Sequence, residues 1–183
     1  LPGVDSARVG LWGYSNGAWV ATLAASRLPD CAFLVLTGAA GVSPGASEAF
    51  RRSEDLRAQG ISEATLDAVR ATWLIVFDYL AHGEWRPDWD HELARCRAVI
   101  AADVALAALP VSDMVRDRPW LDSIPRFDSP PLRDLKGTRR GSNADMGFDP
   151  IPALRAVRCP ALVVLAEDDQ NLPPAESARR FTQ

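Results

Sequence analysis

Residues 13–17 of the chain, Gly-Tyr-Ser-Asn-Gly, place one serine between two glycines at the end of an apolar run. That run, residues 8–13, predicts a β-strand, and the alanine-rich stretch from Asn16 to about Arg27 predicts a helix. A G-x-S-x-G sequence at a strand–turn–helix junction is the pattern of a nucleophile elbow, whose serine attacks a carbonyl carbon. The pattern therefore predicts that Ser15 is a catalytic nucleophile.

The spacing of Gly13 and Gly17 has a physical reason. The turn strains the backbone at the serine, and side chains two residues before and after it are expected to collide across the turn. The helix that follows directs its N-terminal N–H groups at the serine, which makes Asn16 N–H the predicted oxyanion donor. The alternative is a Ser-Gly turn in which the Ser15 side chain only caps the helix.

Two further apolar runs, residues 31–38 and 159–168, predict strands. All three runs are continuous rather than alternating, which indicates a parallel sheet that helices cover on both faces. The first two strands with the helix between them form a β-α-β unit. The fold class expected from this order is α/β.

The long stretch between the second and third strands shows no strand pattern. It predicts helices over residues 43–60, 62–83 and 86–109, and then an irregular connection rich in proline, glycine and arginine over 118–152. Ser43 and Ser62 are the expected N-caps of the first two helices, and Gly83 ends the second. Ile61 and Leu66 are expected to form a hydrophobic staple at the start of that second helix.

The helical stretch follows the carboxyl end of the second strand, which is the edge of a parallel sheet where ligands bind. We therefore predict an α/β core over residues 1–42 and 149–183 and a helical cap or lid over 43–148. Several aromatic side chains of this cap are candidates for lining an acyl pocket, with a place in the core of the cap as the alternative: Trp73, Phe77, Trp85, Trp89 and Trp120.

Three carboxylates, Glu167, Asp168 and Asp169, lie at or just past the end of the third predicted strand. A carboxylate at that edge can orient an imidazole and stabilise its charged form beside the serine. Asp169 is the favoured acid, and Asp168 and Glu167 remain alternatives. A solvated acidic turn without a catalytic role is the other interpretation.

The sequence resembles the α/β-hydrolase family, of the esterase and acyl-peptidase-like type. The resemblance is carried by "VGLWGYSNGAWVATLAAS", by "FLVLTGAAGVSP" and by "FDPIPALRAVRCPALVVLAEDDQNLPPAES". It implies a serine hydrolase that acts on a carboxylic ester, or less favourably an amide, through an acyl-enzyme. An acyltransferase or serine peptidase of the same fold, and a binding module without catalysis, are the alternatives.

The resemblance also implies site residues. In such proteins a Gly-Glu-x-Asp turn follows the corresponding strand, and here Ala166 stands where glycine is usual, with Asp169 as the triad acid and Asp168 as the variable position before it. The three predicted strands match the fifth to seventh of about eight strands in that fold.

No histidine follows Asp169, although the triad of this fold runs serine, acid, histidine along the chain. The two histidines, His82 and His91, lie in the predicted cap and are expected to face solvent. We therefore expect this chain to be a fragment of a larger enzyme. The catalytic histidine, the second oxyanion donor and the first strands would lie outside it, and the chain alone would be inactive.

The charge and the missing motifs of the sequence argue against several classes of binding function. A net charge of −4 gives no sign of nucleic-acid or membrane binding, and no signal peptide or membrane-length apolar stretch is present, so a cytoplasmic location is expected. No phosphate loop, dinucleotide fingerprint or metal-ligand spacing occurs, and we expect no cofactor and no metal. The expected partner is a small-molecule ester or acyl substrate, and the oligomeric state stays open.

The cysteines Cys31, Cys96 and Cys159 are far apart in the sequence. An odd and sparse set indicates reduced thiols rather than a disulfide framework. Cys31 and Cys159 both border apolar runs, and we expect them to be buried and inert.

Overall fold

A computed structural model describes residues 3–108 and 144–183 of the chain. The chain divides into two compact units. The first, which we call the sheet unit, combines Leu1–Ser47 with Phe148–Gln183, and the second, the helical unit, is Glu48–Gly147. These boundaries lie within five residues of the predicted ones. Most of the predicted irregular connection, with Trp120, lies outside the described residues.

The described residues form three strands and seven α-helices. The strands are β1 (Leu11–Tyr14), β2 (Leu34–Thr37) and β3 (Ala161–Val164). The helices are α1 (Asn16–Ala25), α2 (Pro44–Arg57), α3 (Glu63–His82), α4 (Asp88–Ala102), α5 (Val104–Ala108), α6 (Pro150–Arg155) and α7 (Pro174–Phe181). Short 3-10 helices occur at Ser6–Arg8 and Ala144–Gly147.

The three strands form one parallel sheet in the order β1-β2-β3. β2 and β3 lie inside two of the predicted apolar runs, and β1 extends one residue past the end of the first run, to Tyr14. Leu34 of β2 is the register partner of Leu11 in β1 and of Ala161 in β3. The prediction of a mixed α/β chain with a three-stranded parallel sheet is therefore confirmed.

Helices of the sheet unit cover one face of this sheet. Ala18, Ala21 and Ala25 of α1 pack in one buried cluster with Leu34 and Leu36 of β2. Leu154 of α6 and Phe181 of α7 pack against the same cluster. Small alanine side chains let α1 approach the strands closely, which places the helix directly beneath the turn that ends β1.

The opposite face of the sheet differs from the prediction. Trp12 and Tyr14 of β1 are 70% and 66% exposed, and Leu162 and Val164 of β3 are exposed as well. Alternate residues of a strand point to opposite faces, so these four side chains share the face that α1 does not cover. The expectation of helices on both faces was wrong for the described residues, because the three helices of the sheet unit all pack against one face.

The helical unit is built around α3, whose ends lie where the sequence places them. Ser62 caps the helix by accepting a hydrogen bond from Thr65 N–H, and Gly83 ends it with a φ of 73°. Ile61 and Leu66 are both buried in the core of the unit. Ser43 likewise accepts a hydrogen bond, from Ala46 N–H, at the start of α2.

The helix predicted over residues 86–109 is interrupted at Asp103. This residue has an extended backbone, with a φ of −80° and a ψ of 102°. Its carboxylate accepts hydrogen bonds from the Thr65 hydroxyl, at 2.6 Å, and from Leu106 N–H, at 2.9 Å. These bonds hold the pKa of Asp103 below its ordinary value, chiefly through the Thr65 hydroxyl. The capping bonds explain why one helix becomes α4 and α5.

Among the helices of the described ranges, none combines the length and the apolar character that a membrane span requires.

Candidate active site

The backbone of Ser15 is held in a conformation that L-amino acids seldom adopt. Its φ is 52° and its ψ is −124°, and it is the only described non-glycine residue with a positive φ. These angles are those of the first central position of a type II′ turn, which glycine normally occupies. A non-glycine residue in such a region costs about 1–3 kcal/mol, and such strain occurs preferentially at functional sites.

Two backbone hydrogen bonds hold this turn in place. Ser15 N–H donates to the carbonyl of Thr37 at the end of β2, at 3.0 Å. The carbonyl of Ser15 accepts from Ala18 N–H at 2.8 Å, which closes the first turn of α1. The serine is therefore fixed between the sheet edge and the start of a helix.

The Ser15 side chain does not cap α1. Its hydroxyl makes no capping hydrogen bond, although Ser15 is the residue that precedes the helix. Asp149, in the same position before α6, does accept a bond from Ile151 N–H at 3.0 Å. Ser15 thus occupies the N-cap position of α1 without a capping bond from its side chain, and the residue is half-buried.

The two elbow glycines are not equivalent. A Cβ on Gly13 would lie 2.4 Å from the carbonyl oxygen of Gly17 and 2.7 Å from the Cα of Ala18. Both are backbone atoms of α1, so only glycine fits at position 13. A Cβ on Gly17 would meet nothing within 4 Å, outside its own helix turn. The predicted collision therefore occurs for a side chain at position 13, which would meet the backbone oxygen of Gly17. A side chain at position 17 would not cause it.

Asn16, the first residue of α1, is exposed. An N–H in the first turn of a helix has no partner within that helix, and the partial positive charge of the helix N-terminus lies there. The Asn16 N–H, which directly follows Ser15, is one of these first-turn donors of α1.

Asp169 is anchored differently from its two acidic neighbours. Its Oδ1 accepts hydrogen bonds from Asn171 N–H at 2.8 Å and from Leu172 N–H at 3.1 Å. Glu167 and Asp168 are exposed, and the described residues give neither side chain a hydrogen bond. The half-buried Asp169 therefore has a fixed orientation, whereas the other two carboxylates extend into solvent.

Ser15 and Asp169 lie at the same edge of the sheet. Ser15 follows β1 directly, Asp169 follows β3, and β2 lies between these strands. The edge of the sheet that carries Ser15 therefore also carries the loop with Asp169.

The loop after β2 lies at the same edge of the sheet. Its contacts with α7 and α1 were not predicted from the sequence. A Cβ on Gly41 would lie 2.8 Å from the carbonyl oxygen of Ser177 in α7. Arg180 of α7 donates to the Gly41 carbonyl at 2.6 Å and forms an ion pair with Asp149 at 2.8 Å. Trp19 of α1 donates to the Val42 carbonyl. The only signal in the sequence is the small-residue stretch 38–41, which is compatible with such a close approach.

Both histidines belong to the helical unit and are exposed, as predicted. His82 Nδ1 lies 2.9 Å from Asp78 Oδ1 and 3.0 Å from the Asp78 carbonyl oxygen, one helical turn earlier. These contacts orient the His82 ring within α3.

The aromatic residues of the predicted cap form the core of the helical unit. Trp73 and Phe77 are buried and stacked, with ring centroids 5.4 Å apart. Trp89 is buried, and the partly buried Trp85 meets it edge-on at 5.3 Å. This burial accounts for the four residues by packing alone, which was the stated alternative to a place in an acyl pocket.

Comparison of the chain with protein-family models, with curated proteins and with solved structures finds no match. The functional assignment therefore depends on the local geometry around Ser15 and Asp169.

Proposed function

We propose that this chain carries the nucleophile and the acid of a serine hydrolase with an α/β-hydrolase type of core. The proposed reaction is cleavage of a carboxylic ester, with an amide as the less favoured substrate, through an acyl-enzyme. The observation that supports it most strongly is Ser15 itself. Its backbone is strained, and its hydroxyl is not used to cap the helix that it precedes.

The proposed chemistry assigns one role to each group at the sheet edge. The Ser15 Oγ attacks the carbonyl carbon while an imidazole accepts its proton. The Asn16 N–H stabilises the negative oxygen of the tetrahedral intermediate. The imidazole then donates its proton to the departing alcohol, which leaves the acyl group on Ser15, and water releases the acid by the same steps in reverse order.

Asp169 orients this imidazole and stabilises its charged form through Oδ2. Its other oxygen, Oδ1, is already held by the N–H groups of Asn171 and Leu172. The sheet unit contains no histidine. The mechanism therefore depends on an imidazole from elsewhere, either His82 or His91 or a residue outside this sequence.

Substitutions at the two aspartates test this assignment. In protein produced from the complete gene, Asp169→Asn should lower kcat for a p-nitrophenyl ester by about 10³–10⁴-fold. The asparagine keeps an oxygen for the two backbone N–H groups, so the turn should persist while the charge is lost. Asp168→Asn is the matched control and should change kcat by less than about tenfold, since this side chain is exposed.

Ser15→Ala sets the baseline of the same assay, and circular dichroism of each variant checks the fold. The reverse order of the two aspartate variants would exchange the roles of Asp168 and Asp169. Substantial turnover by folded Ser15→Ala would remove the nucleophile assignment and with it the proposed function.

A further inference from the structure

One arginine of the sheet unit, Arg180, joins three of its segments. Arg180 lies in the last turn of α7, and only 25% of its side chain is exposed. One nitrogen of its guanidinium, Nη1, donates to the Gly41 carbonyl at 2.6 Å, in the loop that follows β2. The other, Nη2, donates to Oδ2 of Asp149 at 2.8 Å, at the residue that precedes α6. Arg180 therefore ties α7 to a loop 139 residues earlier and to the start of another helix.

The loop after β2 and α7 meet backbone to backbone at this point. A Cβ on Gly41 would lie 2.8 Å from the Ser177 carbonyl oxygen and 2.9 Å from the Ser177 Cα. Ser177 is fully buried. A planar guanidinium carries donors in a rigid fork and can bond two fixed acceptors at once, whereas a lysine ammonium is a compact point charge. The contact thus depends on glycine at position 41 and on arginine at position 180.

The same loop is bonded to the turn that carries Ser15. It begins after Thr37, whose carbonyl accepts a hydrogen bond from the Ser15 N–H at 3.0 Å. Farther along the loop, the Val42 carbonyl accepts a bond from Trp19 Nε1 at 3.2 Å. Trp19 belongs to α1, the helix that follows Ser15. The loop is therefore fixed on one side to the nucleophile turn and its helix.

Asp169 is connected to the loop from the other side, through α7. Its Oδ1 is held by the N–H groups of Asn171 and Leu172, and α7 begins two residues later, at Pro174. The pairing of β3 with β2 anchors the segment before Asp169. The segment after it continues into α7, which Arg180 bonds to the loop after β2. Arg180 thus anchors the far end of the turn that carries the proposed acid.

We propose that Arg180 is a positioning residue of the candidate active site. By holding α7 against the loop after β2, it fixes the far end of the Asp169 turn and so the place of this carboxylate relative to Ser15. Arg180 acts in this way through Asp169 and not on the reacting atoms. The inference rests on the proposed function, because it takes Ser15 as the nucleophile and Asp169 as the acid.

Loss of the Arg180 bonds should lower turnover more than it lowers the affinity for substrate. Arg180→Met removes both donors and keeps an apolar side chain of similar length. Because a misplacement of about 1 Å can cost about 100-fold in rate, kcat for a p-nitrophenyl ester should fall about 10–100-fold in protein produced from the complete gene. KM should change by less than about threefold. Arg180→Lys keeps the charge without the fork, so its kcat should lie between those of the native protein and Arg180→Met.

Two neighbouring substitutions serve as controls. Arg179 is the next residue in α7, and its exposed guanidinium pairs with Glu176 of the same helix at 2.6 Å. Arg179→Met removes the same charge, leaves the Arg180 bonds in place and should change kcat by less than about twofold. Asp149→Asn keeps an oxygen for the Ile151 N–H and loses the ion pair. Its effect should be smaller than that of Arg180→Met, since the bond to the loop remains.

A double substitution shows whether Arg180 acts through Asp169. If it does, Arg180→Met should add less than about threefold to the loss that Asp169→Asn causes alone, because the carboxylate that it positions is already gone. A merely structural role would multiply the two losses. Circular dichroism and thermal melting check the fold of each variant. If Arg180→Met does not fold, Arg180→Lys takes its place beside Asp169→Asn.

Full kcat in the folded Arg180 variants would overturn the proposal. So would equal losses in Arg180→Met and Arg179→Met, or a loss that multiplies with that of Asp169→Asn. In each of these cases hydrolysis still depends on Ser15 and Asp169, so the proposed function is unaffected. Turnover that survives Ser15→Ala would instead remove the proposed function and this inference with it.

Discussion

Replacing Gly13 by alanine is expected to destabilise the sheet unit by about 3 kcal/mol or more and to abolish the elbow geometry. The new Cβ would lie 2.4 Å from the Gly17 carbonyl oxygen and 2.7 Å from the Ala18 Cα. Both atoms belong to the backbone of α1, so the helix itself would have to move away from β1. Urea unfolding of the purified variant measures this loss.

Two other glycines provide matched controls for Gly13→Ala. A Cβ on Gly10 would lie 2.5 Å from the Phe33 ring, which is about as close as the contact at Gly13. The Phe33 ring is exposed, however, and can rotate away. Gly10→Ala should therefore cost less than about 1 kcal/mol. Gly17→Ala meets open space and should be neutral or stabilise α1 by up to about 1 kcal/mol. Equal losses in all three variants would show that the contact between α1 and β1 is not as close as described.

Substitutions of Ser15 should separate activity from stability. Ser15→Gly and Ser15→Ala should both lower ester hydrolysis by about 10⁴–10⁶-fold, because each removes the attacking oxygen. Their stabilities should differ. Glycine adopts a φ of 52° without strain, so Ser15→Gly should be about 1 kcal/mol more stable than Ser15→Ala.

The same variants test whether the Ser15 hydroxyl has a capping role. Loss of a true serine cap typically costs about 1 kcal/mol, which is the result expected for Ser62→Ala at the start of α3. Ser15→Ala should cost much less, since its hydroxyl makes no capping bond. A loss at Ser15 as large as that at Ser62, together with unchanged hydrolysis, would support the helix-cap interpretation instead.

Much of the fold could be predicted because local patterns determine it. The strands follow from continuous apolar runs, and α3 follows from Ser62 and Gly83 at its two ends. The break at Asp103 could not be predicted, because it depends on hydrogen bonds to Thr65 and Leu106, the first of which is 38 residues away. Helix α6 was missed, although Asp149 before Pro150 is a recognisable helix start.

The candidate site was predicted in its residue types but not in its contacts. The pattern around Ser15 predicts a strained serine after a strand, and the structure describes that conformation. The pattern cannot distinguish Gly13 from Gly17, because their difference depends on how α1 packs on β1.

The most direct test of the central claim is covalent labelling of Ser15 by a fluorophosphonate, a reagent that phosphonylates activated serines. In protein produced from the complete gene, the label should appear on the tryptic peptide of residues 9–27, at Ser15. Heat-denatured protein and the Ser15→Ala variant should remain unlabelled. An unlabelled native protein, or equal labelling of native protein and Ser15→Ala, would contradict the assignment of Ser15 as the nucleophile.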